Sequence, residues 1–123
     1  MLYIDGQAYN VGIVSLKRTA DFLDSEATTR LENGDMFRDL IGVYFNYELK
    51  LEPSANTNEY NRLWEKLTES VEFHTVTVPY ANSTFTFVAY FANVSDELLL
   101  QNNSINYWKN LSVNFKAKTP ARR

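Results

Sequence analysis

Along residues 43–52 apolar and polar side chains alternate without a break. Val43, Phe45, Tyr47, Leu49 and Leu51 share one face, and Tyr44, Asn46, Glu48, Lys50 and Glu52 share the other. A period of two over that length predicts an antiparallel strand with one buried face, longer than the usual ~5–6 residues. A second alternation begins at Ile13, with Val14, Leu16, Ala20 and Phe22 on one side and Ser15, Lys17, Thr19 and Asp21 on the other. Arg18 interrupts its apolar side and therefore needs a carboxylate partner or an edge position. Between the two strands, residues 24–35 are charged and aperiodic and contain Asn33-Gly34, which predicts a long loop or a protruding hairpin tip.

Tyr3-Ile4, the Asp5-Gly6 turn and Ala8-Tyr9 predict a short hairpin at the start of the chain. Pro53 and Ser54 end the long strand, and Asn56 with Glu59 has the spacing of a capping box. Tyr60, Leu63, Trp64 and Leu67 then recur at i, i+3, i+4 and i+7, predicting one amphipathic helix over about 57–68 that packs on a sheet face. Strands follow over 71–78 and 84–94, separated by a turn at 79–83. Ser95-Asp96-Glu97 then caps a short helical turn through Leu98–Leu100, an Asn-rich loop follows, and a last strand covers 108–118. The expected fold class is α+β, mainly β: an antiparallel β-sandwich or partly open barrel with one flanking helix. A length of 123 residues fits a single β-rich domain with a loop at 24–35 and a basic tail at 118–123.

Composition narrows the chemistry. With 45% hydrophobic, 22% charged and 15% aromatic residues, the chain reads as an ordinary globular protein with a β-rich interior. No run approaches the ~18 apolar residues of a membrane span, and the first residues lack a signal-peptide pattern, so no membrane partner is expected and a cytosolic setting is. The absence of cysteine removes disulfides, thiolate nucleophiles and cysteine zinc sites. His74 is the sole histidine and sits in a predicted strand, where a satisfied structural histidine is the plainer reading than a catalytic one. Asp21, Asp24, Glu26, Glu32, Asp35 and Asp39 lack calcium-loop spacing, and four glycines provide no phosphate-cradling loop. No catalytic residue, metal or cofactor is therefore assigned. Four Asn-x-Ser/Thr motifs, at Asn82, Asn93, Asn102 and Asn110, are not assigned to glycosylation.

Charge is distributed unevenly. Lys109, Lys116, Lys118, Arg122 and Arg123 close the chain with no acid among them, whereas acids dominate its middle. Such polarity suits contacts between an acidic surface and a basic end of neighbouring subunits, although a frayed, solvated terminus would carry the same residues. A net charge of −3 gives no phosphate-tracking field, so nucleic acid is not an expected partner.

Ser15-Leu16-Lys17-Arg18, Asp21-Phe22-Leu23-Asp24, the segment Gly34 to Tyr47 with its Met36-Phe37-Arg38-Asp39-Leu40-Ile41-Gly42-Val43 run, Tyr60 to Thr68 and Val71 to Val76 together resemble a small protein family encoded in prophages of Gram-positive gut bacteria. Its members are described as tail or other virion proteins. A β-sandwich with one helix is also similar to the fold of tail-tube and distal-tail proteins, an analogy at the level of fold. The resemblance implies a non-enzymatic virion structural protein, located in the tail and in the host cytoplasm during assembly, whose partners are further copies of itself and other tail proteins. Residues expected at assembly contacts are Arg18 and Arg38 as charge partners, Glu26, Arg30, Glu32 and Asp35 on a contact arm, Tyr44 and Tyr90 as outer-face aromatics, and Lys116 and Lys118 at a docking end. The alternative is a monomeric β-module binding carbohydrate or peptide on exposed aromatics.

Overall fold

The computed structural model describes residues 2–52 and 57–123. The elements, in chain order, are β1 (Leu2–Ile4), β2 (Gln7–Tyr9), β3 (Ile13–Asp24), β4 (Thr29–Arg30), β5 (Met36–Phe37), β6 (Leu40–Leu51), α1 (Thr57–Leu67), β7 (His74–Tyr80), β8 (Ser83–Asn102) and β9 (Ile105–Ala117). Seven strands form one sheet in the order β2-β1-β7-β8-β9-β6-β3, with every neighbour antiparallel, and β4 and β5 form a separate two-stranded ribbon. Among the described residues β2 and β3, at the two ends of the large sheet, do not pair with each other. The fold is thus mainly β, with two sheets, one flanking helix and an open, sandwich-like arrangement in place of a closed barrel.

The core lies on one face of the sheet. Tyr47, Leu49 and Leu51 of β6, Leu111, Val113 and Phe115 of β9, Ala89 of β8, Val76 and Val78 of β7, and Leu2, Ile4 and Tyr9 of the first hairpin meet Tyr60, Leu63 and Leu67 of α1. These are the period-two positions of the strands and the i, i+3, i+7 positions of the helix, so the burial pattern follows the hydrophobic pattern directly. Trp64, at i+4, is half-buried against the same cluster. Arg62 fastens α1 to β2 by donating to the Ala8 carbonyl and by lying 4.4 Å from the Tyr9 ring centroid. The capping box read at Asn56 and the strand stop at Pro53-Ser54 fall outside the described residues.

The second half departs from its expected elements. No helical turn forms at Leu98–Leu100: β8 runs unbroken for 20 residues, and Asn103 and Ser104, at φ 49° and 67°, make a two-residue turn into β9. Two successive positive φ values give the hairpin geometry that continues the right-handed twist of the strands. The strand expected over 71–78 begins only at His74 and takes in Pro79 and Tyr80, so the reversal narrows to Ala81-Asn82. Register shifts interrupt β8 and β9 between Ala92 and Ser95 and between Ser95 and Glu97, where Asn93 and Asn110 adopt φ 57° and 56°. Asparagine tolerates this left-handed conformation better than most residues, and each of these bulges gains twist and bend from it. Asn93 and Asn110, the first residues of two of the Asn-x-Ser motifs, thus have a conformational role in the strand pair.

The basic C-terminus is docked and not frayed. The Val43 amide donates to the Arg122 carbonyl at 2.9 Å, the Ala121 amide donates to the Val43 carbonyl at 2.8 Å, and the Arg122 guanidinium lies 5.6 Å from the Phe45 ring centroid. Gly42 makes this approach possible, since a Cβ there would lie 2.7 Å from Pro120 Cβ and 2.9 Å from the Arg122 carbonyl oxygen. Gly42→Ala is therefore expected to lift residues 120–122 off β6 and to cost about 1–3 kcal/mol. Urea denaturation checks the stability loss, and faster trimming of the terminus by carboxypeptidase checks its cause.

Candidate functional site

Two hairpins project from the part of the sheet that α1 covers. In the first, β6 pairs with β9 only over Tyr47–Lys50, so Leu40–Asn46 is joined to β3 on one side and to the C-terminal tail at Val43 on the other. Residues 25–39 extend this hairpin through the β4–β5 ribbon, in which Thr29 faces Phe37 and Arg30 faces Met36. The segment read as a loop at 24–35 is thus a folded hairpin tip. In the second projection, Ser95–Asn102 of β8 pairs only with Ile105–Ser112 of β9.

Polar contacts hold the first arm in shape. Arg38 Nε donates to Asp24 Oδ1 at 2.8 Å, Ser25 Oγ to Asp39 Oδ2 at 2.6 Å, the Asp39 amide to Thr28 Oγ1 at 2.9 Å, and Arg30 Nη1 to the Gly34 carbonyl at 2.7 Å. Its apolar side chains do none of this. Phe22, Leu23, Leu31, Met36, Phe37, Leu40 and Ile41 are exposed, Phe22 to 58% and Met36 to 53%. Leu98, Leu99, Leu100 and Ile105 are exposed on the second arm. Apolar groups concentrated on projections are the composition of a contact surface.

The expected site residues do not come together in one place. Glu26, Arg30, Glu32 and Asp35 are exposed on the tip of the first arm. Arg38 is taken up within its own chain by Asp24 and by the Phe22 ring, 5.4 Å away, and Arg18 stands on the edge strand β3 with its guanidinium 5.3 Å from the Tyr80 ring centroid. Tyr90 is exposed and pairs across the sheet with Lys116, while Phe73 meets the Tyr90 ring edge-on at 6.5 Å and Lys118 Nζ at 4.6 Å. Tyr44 is half-buried opposite Asp21. The acidic tip and the Tyr90-Lys116-Lys118 patch therefore lie on different hairpins. Sequence reading missed Leu98–Leu100 and Ile105, whose signal was a run of large aliphatics on both sides of Asn103-Ser104.

A titratable cluster joins the first hairpin to the helix end. His74 is buried, at 4% exposure, and its ring stacks on Phe91 at 4.7 Å. Its Nδ1 lies 2.7 Å from Asp5 Oδ2, while Asp5 Oδ1 accepts the Thr75 amide at 2.8 Å. Asp5 takes this position at φ 52° in the turn completed by Gly6 at φ 79°. The other ring nitrogen, Nε2, is buried with no hydrogen-bond partner among the described residues, its nearest carboxylate being Glu69 at 3.9 Å. Asp5, Glu69 and His74 present ligand atoms all within 4.8 Å of one another, but Lys66 Nζ lies 3.1 Å from Glu69 and 3.7 Å from Asp5. Lys66 thus brings a positive charge to both carboxylates of the cluster.

Burial raises the Asp5 pKa, but the hydrogen bonds from His74 and Thr75 and the charges of His74 and Lys66 outweigh it and bring the carboxyl below its ordinary 3.8. A carboxyl whose pKa falls on folding stabilises the native state above its unfolded value and loses that contribution as pH drops through the folded one. Asp5→Asn, which keeps a residue tolerant of positive φ, is expected to cost about 1 kcal/mol at pH 7, the exposed side of the group being screened. The deficit should vanish once the pH is well below 3.8, as compared by urea denaturation of both proteins at neutral and acid pH.

Comparison with protein-family models, with curated proteins and with solved structures returns no match for this chain in any of the three.

Proposed function

We propose that this protein is a non-enzymatic virion structural subunit, of the phage-tail kind, which self-assembles or docks on other tail proteins through its two arms. The observation that carries the reading is the exposure of Phe22, Met36, Phe37, Leu40 and Ile41 on one arm and Leu98–Leu100 and Ile105 on the other. An isolated two-stranded ribbon is marginally stable in water, so each arm gains from being covered. The acidic residues Glu26, Glu32 and Asp35 at one tip and Lys116 and Lys118 beside Tyr90 give contacts between copies a charge direction.

A second reading rests on a cleft of about 330 Å³ lined by Arg18, Thr19, Ala20, Phe45 and Tyr80. Its size and aromatic walls suit a small carbohydrate or peptide, but its lining side chains include no amide to orient a sugar. The assembly reading is therefore preferred.

Light scattering over a wide concentration range, with negative-stain imaging, is expected to reveal rings, stacks or higher oligomers. Phe37→Asp and Leu99→Asp, each at an exposed position, should leave circular dichroism and melting unchanged while reducing assembly severely. A protein that stays monomeric at high concentration and alone with tail proteins, yet binds a glycan in a manner abolished by Tyr80→Ala, would transfer the assignment to the ligand-binding module.

A further inference from the structure

The outer edge of β3 is a long unpaired strand edge with a regular register. The strand is 12 residues long, stands last in the sheet, and is exposed from Lys17 through Leu23. A row of free backbone donors and acceptors of that length is a template for another strand. Bulges lie between Ile13 and Ser15 and between Leu23 and Asp24, so the regular ladder runs from Ser15 to Leu23 and its midpoint is Thr19.

We propose that β3 pairs antiparallel with β3 of a second copy about a two-fold axis through Thr19. A two-fold perpendicular to the sheet keeps each face of the strand on the same side in both copies, so opposed residues must have the same parity. Few registers remain. Centring on Lys17, Arg18 or Asp21 would oppose like charges, and centring on Ala20 would place Lys17 against Leu23 and Leu16 against Asp24. Centring on Thr19 sets Lys17 against Asp21 twice, Leu16 against Phe22 twice, and Thr19 against itself, all favourable cross-strand pairs.

The surroundings agree with that register. Asp21 and Phe22 are exposed in the isolated chain, and Asp21 is held in place by the Asn46 amide, which donates to one of its oxygens. Arg18, which would face Ala20, has its guanidinium against Tyr80 of its own chain. Lys17 and Arg18 are the charges that would normally blunt an edge; here Lys17 selects the partner. The contact runs along β3 at the root of the first arm, where it includes Phe22, and is separate from the β4–β5 tip and from the second arm; it holds for any role of the protein.

Cysteine scanning tests it, because the chain has no cysteine of its own. Directly opposed residues stand about 4.5–5.5 Å apart between Cα atoms, within disulfide range. Thr19→Cys is expected to convert almost wholly to a disulfide dimer under mild oxidation. Ser15→Cys and Leu23→Cys alone should not, since each lies roughly 27 Å from itself across the axis at ~3.4 Å per residue. Mixed, those two variants should crosslink to each other. The inference is overturned if Thr19→Cys crosslinks no faster than Ser15→Cys, or if the mixture crosslinks no better than its components. Loss of assembly in the arm variants with crosslinking retained would separate the two contacts.

Discussion

A single short helix has to cover strands that outrun it. α1 has 11 residues and is about 16 Å long, whereas β8 has 20 residues and spans roughly 66 Å if extended. The apolar face is buried where α1 packs on it, at Tyr47–Leu51, Leu111–Phe115, Val76 and Val78, together with Leu2, Ile4 and Tyr9 of the β1–β2 hairpin. Beyond that footprint the same alternation continues without a cover. The exposed Phe22, Leu40, Ile41, Leu98 and Leu100 follow from this shortage of covering elements, and the two arms are where it becomes visible.

The asparagine bulges mark the boundary on the second arm. β8 pairs with β7 over Ser83–Ala89 and with β9 from Ala89 onward, so at Asn93 and beyond it has β9 alone. The Tyr60 hydroxyl donates to Asp96 at 3.0 Å just past this point, with burial first and then the Asp96 hydrogen bond and charge raising the phenol's pKa. One end of α1 is thus tied to the root of the arm. The other end, through Lys66 and Glu69, meets Asp5 and His74. A helix fastened at both ends holds the roots firmly while the tips rest on hairpin hydrogen bonds.

What was legible in the sequence follows the same division. The helix over 57–67, the long strand ending at Leu51 and the first hairpin were readable because each is a local period or turn signal that the core then uses; of the two alternatives open for Arg18, a carboxylate partner or an edge position, the structure has the edge. The second arm was not. Ser95-Asp96-Glu97 before three leucines has the form of a helix cap, and nothing local shows that β9 lies alongside to take those residues into a ladder; tertiary pairing overrode propensity. The first arm was read as charged because its acids and arginines dominate the composition. Met36 and Phe37 gain meaning only when β4–β5 pairing turns them outward with no core beneath. The Asp5-His74 contact joins residues far apart in the chain and leaves no periodic trace.

Surfaces of different symmetry have different consequences. A strand pairing with its own copy about Thr19 closes on itself and stops at two, whereas an acidic tip meeting a basic patch on another hairpin is heterologous and propagates into rings or filaments. A subunit carrying both kinds of contact can build layered assemblies in which the closed contact sets the repeat unit and the open one sets the growth direction. The register of β3 is uninterrupted from Ser15 to Leu23, as the proposed two-fold contact needs. The arms are narrow ribbons that can bend to the angle a ring demands. In the proposed assembly, adaptable elements at the propagating contact and a regular one at the closed contact would let a small core specify an object much larger than itself.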